Sequence, residues 1–294
     1  MSGELYALAA ALTWAVGSLL FARIGKLASP YAMNLGKCLS AGALLVGAAL
    51  VFGGRPAAAS AGAWAWLAAS AVVGLTIGDT AYFGAIVRLG VPRAIVLLSS
   101  APIFAAVLGA IFLHERLGVR GALGILLTLV GVALVVLRRD AGTEPNLRVG
   151  SGLALGLLGG IGQAVGSVLS KRAMDLGIEP AIAGGARLFI GGVALLIGLA
   201  AVGRARTTFA ELGKSGVFGK IAGASLVGSF LGIYLAQTAL HRTASVGVAA
   251  TLLATSPVFA VPLAHWTGQE RIRPGSVVGA ITAVAGVAVL TLAR

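Results

Sequence analysis

The chain has 294 residues, 58% of them hydrophobic and 11% charged, with a mean hydropathy of +1.00 and a formal net charge of +13. A soluble domain carries about a quarter charged residues, so this composition excludes an ordinary soluble fold and makes the bilayer the expected solvent. The 22 basic residues are scattered over short connections without a basic stripe or interleaved aromatics, which excludes a nucleic-acid surface and leaves anionic lipid head groups as their partners.

A spanning helix needs ~20 mainly apolar residues. Ten runs meet that requirement, at about 3–22, 33–53, 62–86, 91–112, 119–137, 149–171, 180–202, 217–240, 245–266 and 274–292. They are apolar all round, unlike the alternating ~10-residue strands of a β-barrel, so the predicted fold is all-α and integral to the membrane. The first run begins almost at Met1, is too long for a signal h-region and has no basic n-region, so it is read as an uncleaved span.

Taken in order, the first run carries Trp14 and the segment AVGS ending at Ser18, and the second carries Lys37 and the single cysteine, Cys38. One cysteine excludes an internal disulfide and offers no metal-site spacing. The third run holds Asp79 within GLTIGDTAYF, with Thr76, Thr80 and Tyr82 beside it; the fourth holds Ser99, Ser100 and Pro102. The fifth is nearly bare of polar groups. The sixth brings Gln163 and a second AVGS ending at Ser167, and its glycines at 152, 156 and 160 have the spacing of close helix packing in lipid. Arg187 lies in the seventh. Between the seventh and eighth, Gly213-Lys214-Ser215 imitates the end of a phosphate loop, but the glycine required five places earlier is Thr208. The eighth run holds Ser229, Tyr234, Gln237 and Thr238, the ninth Thr251, Thr255, Ser256 and Pro257, and the tenth again little.

Lys37, Asp79 and Arg187 are charged inside predicted spans, where a charge costs roughly 2.5–3.5 kcal/mol on insertion scales unless paired or hydrated. Lys37 and Arg187 each stand about a turn inside a helix end and could simply snorkel to the interface. Asp79 lies deeper, and Lys37 is its expected partner by depth. Single hydroxyls commonly bond their own helix, but the concentration of polar residues in runs 1, 3, 4, 6, 8 and 9 predicts a wet cavity among them. Pro102 and Pro257 fall at matching places in the fourth and ninth runs, where they free carbonyls and bend or line that cavity.

The chain also repeats itself. Residues 97–136 match 252–291 without a gap at 12 of 40 positions, AVGS recurs at 15–18 and 164–167, and the spacing from Pro30 to Lys37 recurs from Pro180 to Arg187. This is an internal duplication, with halves at 1–146 and 147–294. Five spans per half is an odd number, so the second copy enters the membrane from the opposite side: ten helices as two inverted five-helix repeats, a common plan for secondary transporters with the substrate near the midplane.

These features together, a Pro-x-Phe helix followed by a Glu-Arg pair and a Gly-rich last helix in each half, with a basic residue seven positions after Pro30 and Pro180, resemble the EamA-type domains of the drug/metabolite transporter superfamily. The resemblance implies a bacterial inner-membrane carrier, often an exporter of amino acids or related metabolites, with both termini cytoplasmic. Basic residues are more numerous on the connections opposite the termini than beside them, so the positive-inside rule points the other way.

The expected function is therefore secondary transport of small amphipathic metabolites, amino acids foremost and hydrophobic or aromatic ones in particular, by alternating access. A membrane-embedded enzyme and a lipid flippase or structural protein are the alternatives, and the first has little to work with: no paired carboxylates, no nucleophile elbow and no H-E-x-x-H accompany the three histidines. No cofactor, metal or ATPase subunit is expected, and a monomer suffices. Expected substrate-binding residues are Trp14, Ser18, Asp79, Tyr82, Ser99, Gln163, Ser167, Arg187, Tyr234, Gln237 and Thr255, with Lys37, Pro102 and Pro257 as structural or gating residues.

Overall fold

A computed structural model of the chain describes residues 2–51, 59–89, 94, 97–98, 100–114, 118–137, 149–266 and 274–292. Among them every regular element is helical. In chain order the main helices are α1 (Gly3–Ile24), α2 (Pro30–Val51), α3 (Ala61–Leu89), α4 (Ala101–Phe112), α5 (Val119–Leu137), α6 (Val149–Asp175), α7 (Pro180–Ala201), α8 (Val217–Arg242), α9 and α10 (Pro274–Leu292). Helix α9 comes in two segments, Val246–Leu253 and Ser256–Trp266. Five helices are long and apolar enough to cross a membrane: α1, α3, α7, α8 and Gly150–Asp175 of α6; shorter apolar helices lie at Ala101–Phe112, Val119–Gly131, Val246–Ala260 and Val277–Gly286. Large apolar side chains face outward, among them Phe112, Phe189, Ile197 and Ile281, each more than 60% exposed. That is the surface of a multi-pass membrane protein.

The two halves interlock. Helix α1 packs along α8 and α9, and α6 packs along α3 and α4, while α2 pairs with α7 and α5 with α10. Each half therefore lends its first helix to the other, and buried clusters mix the halves: Phe21, Met33 and Phe83 share one with Leu195, Leu199 and Ile221. A short helix, Ala205–Leu212, lies over the connection between α1 and α2, where the Ser29 backbone N–H donates to the Glu211 carboxylate at 2.8 Å.

Two helices depart from α geometry at matching places. Helix α3 is wound as a π-helix over Ala71–Asp79 and α8 over Leu226–Leu231. The starting points are 155 residues apart, the same offset as the sequence repeat. Such segments are rare and concentrate at functional places. Each also carries a glycine crossing. A methyl group added at Gly17 of α1 would stand 2.7 Å from the Gly228 Cα of α8, and one added at Gly166 of α6 would stand 2.9 Å from the Gly74 Cα of α3. Backbones touch at both points, and both glycines of α1 and α6 come from the repeated AVGS. On the far side, Gly131 and Gly286, also 155 apart, press α5 and α10 together against Ala283 and a fully buried Thr128.

A side chain at Gly17 must push the two halves apart, whereas Gly198 in α7 has nothing within 4 Å of an added Cβ. Gly17→Ala is expected to lower stability by about 1–3 kcal/mol, the cost of overpacking, and Gly198→Ala to leave it unchanged or slightly raised. Thermal unfolding of the two variants in one detergent checks this; equal midpoints would show that the crossing can relax.

Candidate functional site: a cavity between the two halves

Between the interlocked halves lies a cavity of about 210 Å³. Its walls come from α1, α3, α6, α8 and α9, from Leu98 ahead of α4 and Ala101 at its start, and from one residue each of α2 and α7, Lys37 and Arg187. No described residue of α5 or α10 reaches it. Most of the wall is apolar, from Phe21, Leu75, Phe83, Ile86, Ile233 and Leu253.

The polar part is a network that crosses between the halves. Lys37 Nζ forms an ion pair with Asp79 Oδ2, and Gln163 Nε2 donates to Asp79 Oδ1. The side chains of the pair are 5% and 13% exposed. Asp79 is the last residue of the π segment in α3, and Gln163 comes from α6 of the second half, so one carboxylate ties both halves together. The Lys37 ammonium also lies 5.6 Å from the Phe83 ring centroid, a cation–π distance.

Arg187 is different. It is 5% exposed, its Nε has no hydrogen-bond partner, and among the described residues its guanidinium makes no ion pair. The crossing of Gly74 and Gly166 makes room for it: a methyl group at either would come within 3.0 or 3.2 Å of Arg187 Nη2. A buried cation with unfilled donors on a cavity wall can accept an anionic group from a solute.

Of the expected substrate-binding residues, Trp14, Ser18, Asp79, Tyr82, Gln163, Ser167, Arg187 and Gln237 line the cavity. Tyr234 does not: it lies on the outer face of α8, 37% exposed. The sequence offset pairs it with Asp79, but the π segment of α8 ends at Leu231 while that of α3 runs to Asp79, so the matched positions sit in differently wound turns. Thr255 is also off the wall. It is buried in the break between the segments of α9, its hydroxyl donating to the Leu252 carbonyl at 2.6 Å, while its neighbours Ala254 and Ser256 face the cavity. Ser99 lies outside the described residues.

Pro102 occupies the first turn of α4, and Pro257 is the second residue of Ser256–Trp266. Neither breaks a helix from within; each begins one, where the missing N–H costs nothing. The turn stands just ahead of each proline, and in both helices residues beside the turn reach the cavity.

Several polar residues do work that the sequence did not announce. Asn34 Nδ2 donates at 2.8 Å both to the Leu75 carbonyl, within the π segment, and to the Thr80 hydroxyl. Thr76, expected near the cavity, instead donates to the Gly191 carbonyl at 2.8 Å and fastens α3 to α7, and Ser70 donates to the Gly166 carbonyl and fastens α3 to α6. Ser170 donates to Gln237 Oε1 at 2.6 Å, and Lys171 Nζ donates to the carbonyls of Leu240 and Thr243 at 3.3 Å, closing the C-terminal end of α8. The signal for these contacts is a tertiary crossing, which spacing along one chain does not display.

The family model of the EamA-like transporter family matches the chain twice, over residues 1–137 and 150–292. The chain belongs to this family. Its two family segments correspond to α1–α5 and α6–α10, so the cavity lies between two copies of one family unit. A solved structure described as "Crystal structure of protein" superposes with a TM-score of 0.78 at 17% identity, covering 99% of this chain and 96% of that one. At that identity the likeness is one of fold. No curated protein matches the chain.

Breaking the buried pair from one side strands a charge, at about 3–5 kcal/mol, whereas removing both partners does not. Lys37→Met and Asp79→Asn are each expected to destabilise the protein more than the double variant does. A double-mutant cycle on the unfolding midpoint reads the coupling; simple additivity would contradict the pair's role.

Proposed function

We propose that this EamA-like transporter is a secondary carrier of small amphipathic, carboxylate-bearing metabolites, with amino acids of hydrophobic or aromatic side chain as the class that the family resemblance suggests. The observation that carries the reading is the cavity itself, walled by both halves, largely apolar, with Arg187 unfilled on one side. Concave, mostly apolar sites with a few convergent polar groups are the usual form of a small-molecule site. On this reading Trp14, Ser18, Tyr82, Gln163, Ser167 and Gln237 surround the solute, Asp79 and Lys37 hold the wall, and Arg187 receives the carboxylate.

The wider frame belongs to the same proposal: two inverted five-helix units, 1–146 and 147–294, crossing the bacterial inner membrane ten times with both termini cytoplasmic. The interlocking of α1 and α6 supports alternating access, because rocking one half about the glycine crossings changes which end of the cavity is open without dismantling its walls. Export is the proposed direction. A carrier of this kind works as a monomer, without cofactor or ATPase.

Reconstituted into liposomes, the protein is expected to move labelled amino acids unchanged; turnover of the solute would instead indicate an enzyme, and lipid movement without solute flux a flippase. Two variants locate the site. Trp14→Ala should lower affinity for bulky apolar solutes and spare small polar ones. Gln163→Leu should impair every solute, by about 1–3 kcal/mol for each polar group left unpaired, because it removes both an amide from the cavity and a donor from Asp79. Competition assays that return unchanged affinity and ranking for both variants would place the site elsewhere.

A further inference from the structure

The charges around the cavity do not cancel. Lys37 and Arg187 bring two cations to its wall, Asp79 one anion, and no other described lining residue is charged. The single anion is already taken at both oxygens, by Lys37 on one side and Gln163 on the other. The other polar lining groups, Ser18, Gln163, Ser167 and Gln237 among them, are neutral, so a cation finds no second carboxylate among the described lining residues. An ammonium seeking a charged partner in the cavity would have to displace Lys37 from Asp79, stranding a lysine that is 4% exposed. A carboxylate needs no such displacement. Arg187 stands with a fully buried, unbonded Nε, its Nη2 in a slot that only the two glycines leave open. A planar guanidinium of this kind suits two parallel hydrogen bonds to a carboxylate.

We infer that the cavity selects solutes bearing one carboxylate and no ammonium group, so that an amphipathic organic acid is bound ahead of the amino acid with the same side chain, and that Arg187 is the residue that sets this preference. The inference rests on the cavity being the solute site. It narrows the solute's charge: one negative charge neutralises the wall, whereas a zwitterion leaves its ammonium facing two cations and a carboxylate already engaged. A phosphate monoester, with a second negative charge near neutral pH, overshoots the balance and ranks below the carboxylate.

The test is binding to the full chain in detergent at constant ionic strength, read from ligand-induced stabilisation against heat, which grows with occupancy. The probes share one apolar body: 3-phenylpropionate, phenylalanine, 3-phenylpropionamide, 2-phenylethylamine and phenyl phosphate. The expected result is that 3-phenylpropionate binds about tenfold or more tightly than each of the others, the scale of one charge-assisted hydrogen bond gained. Arg187→Gln should erase that margin, and Arg187→Lys, which keeps the charge but not the fork, should keep the order with a smaller margin. Phenylalanine or the amide binding as tightly as the acid overturns the inference, as does an undiminished preference in Arg187→Gln or no binding by any of the five. If Arg187→Gln does not fold, the wild-type ranking and Arg187→Lys decide. Labelled-solute flux in liposomes separates the two readings: phenylalanine transported without any advantage for the acid keeps the carrier and discards the charge rule, while no flux of any solute discards the carrier.

Discussion

Backbone contact at two glycine crossings is the constraint on which the structure depends. Where α1 meets α8 at Gly17 and Gly228, and α6 meets α3 at Gly166 and Gly74, no side chain separates the helices. In lipid there is little hydrophobic drive to bring helices together, so close packing of small residues and interhelical hydrogen bonds do that work. The crossings fix how deeply each half's first helix inserts into the other half. That depth brings Gln163 to Asp79, seats Arg187 against the Gly74–Gly166 contact, and leaves the cavity between.

The π segments lie at the same crossings, with Gly74 in one and Gly228 in the other. A π turn widens the helix and shifts the carbonyls it carries, and in α3 the Leu75 carbonyl finds Asn34 across the interface. Asp79 closes that segment, so its carboxylate leaves the helix where Lys37 and Gln163 converge. The second half repeats the architecture but not the chemistry. Arg187 matches Lys37 in the repeat, yet the residue matching Asp79 is Tyr234, which points away. A duplicated scaffold thus holds a site with unequal walls: a neutralised lysine from one half faces an unfilled arginine from the other.

Much of the fold was legible in the sequence, because apolar runs of spanning length and a repeat at constant offset are properties of the chain read along itself. The pairing of Lys37 with Asp79 was legible too, since two charges at similar depth on neighbouring helices have few other ways to be buried. The contact of Gln163 with Asp79 was not, because it requires α6 of one half to lie along α3 of the other, and nothing in the spacing within either helix states that exchange. Glycines 152, 156 and 160 read as packing residues; that Gly17 and Gly166 of AVGS make the crossings, and that Gly166 helps open a slot for Arg187, depends on what crosses them. Tyr234 was grouped with the cavity because the eighth run is rich in polar residues, and the composition of a run does not say which face each residue takes; it lies off the wall, 37% exposed.

The central claim is that one cavity, held between interlocked halves, serves both sides of the membrane. Ser18 lies on its wall one residue from the Gly17 crossing, and the single cysteine, Cys38, is buried. In a Cys38→Ala background, Ser18→Cys reports the access of the cavity to a membrane-impermeant maleimide applied from one side or the other of sealed, oriented vesicles. The account predicts modification from either side. Modification from one side only, or from neither, would contradict it.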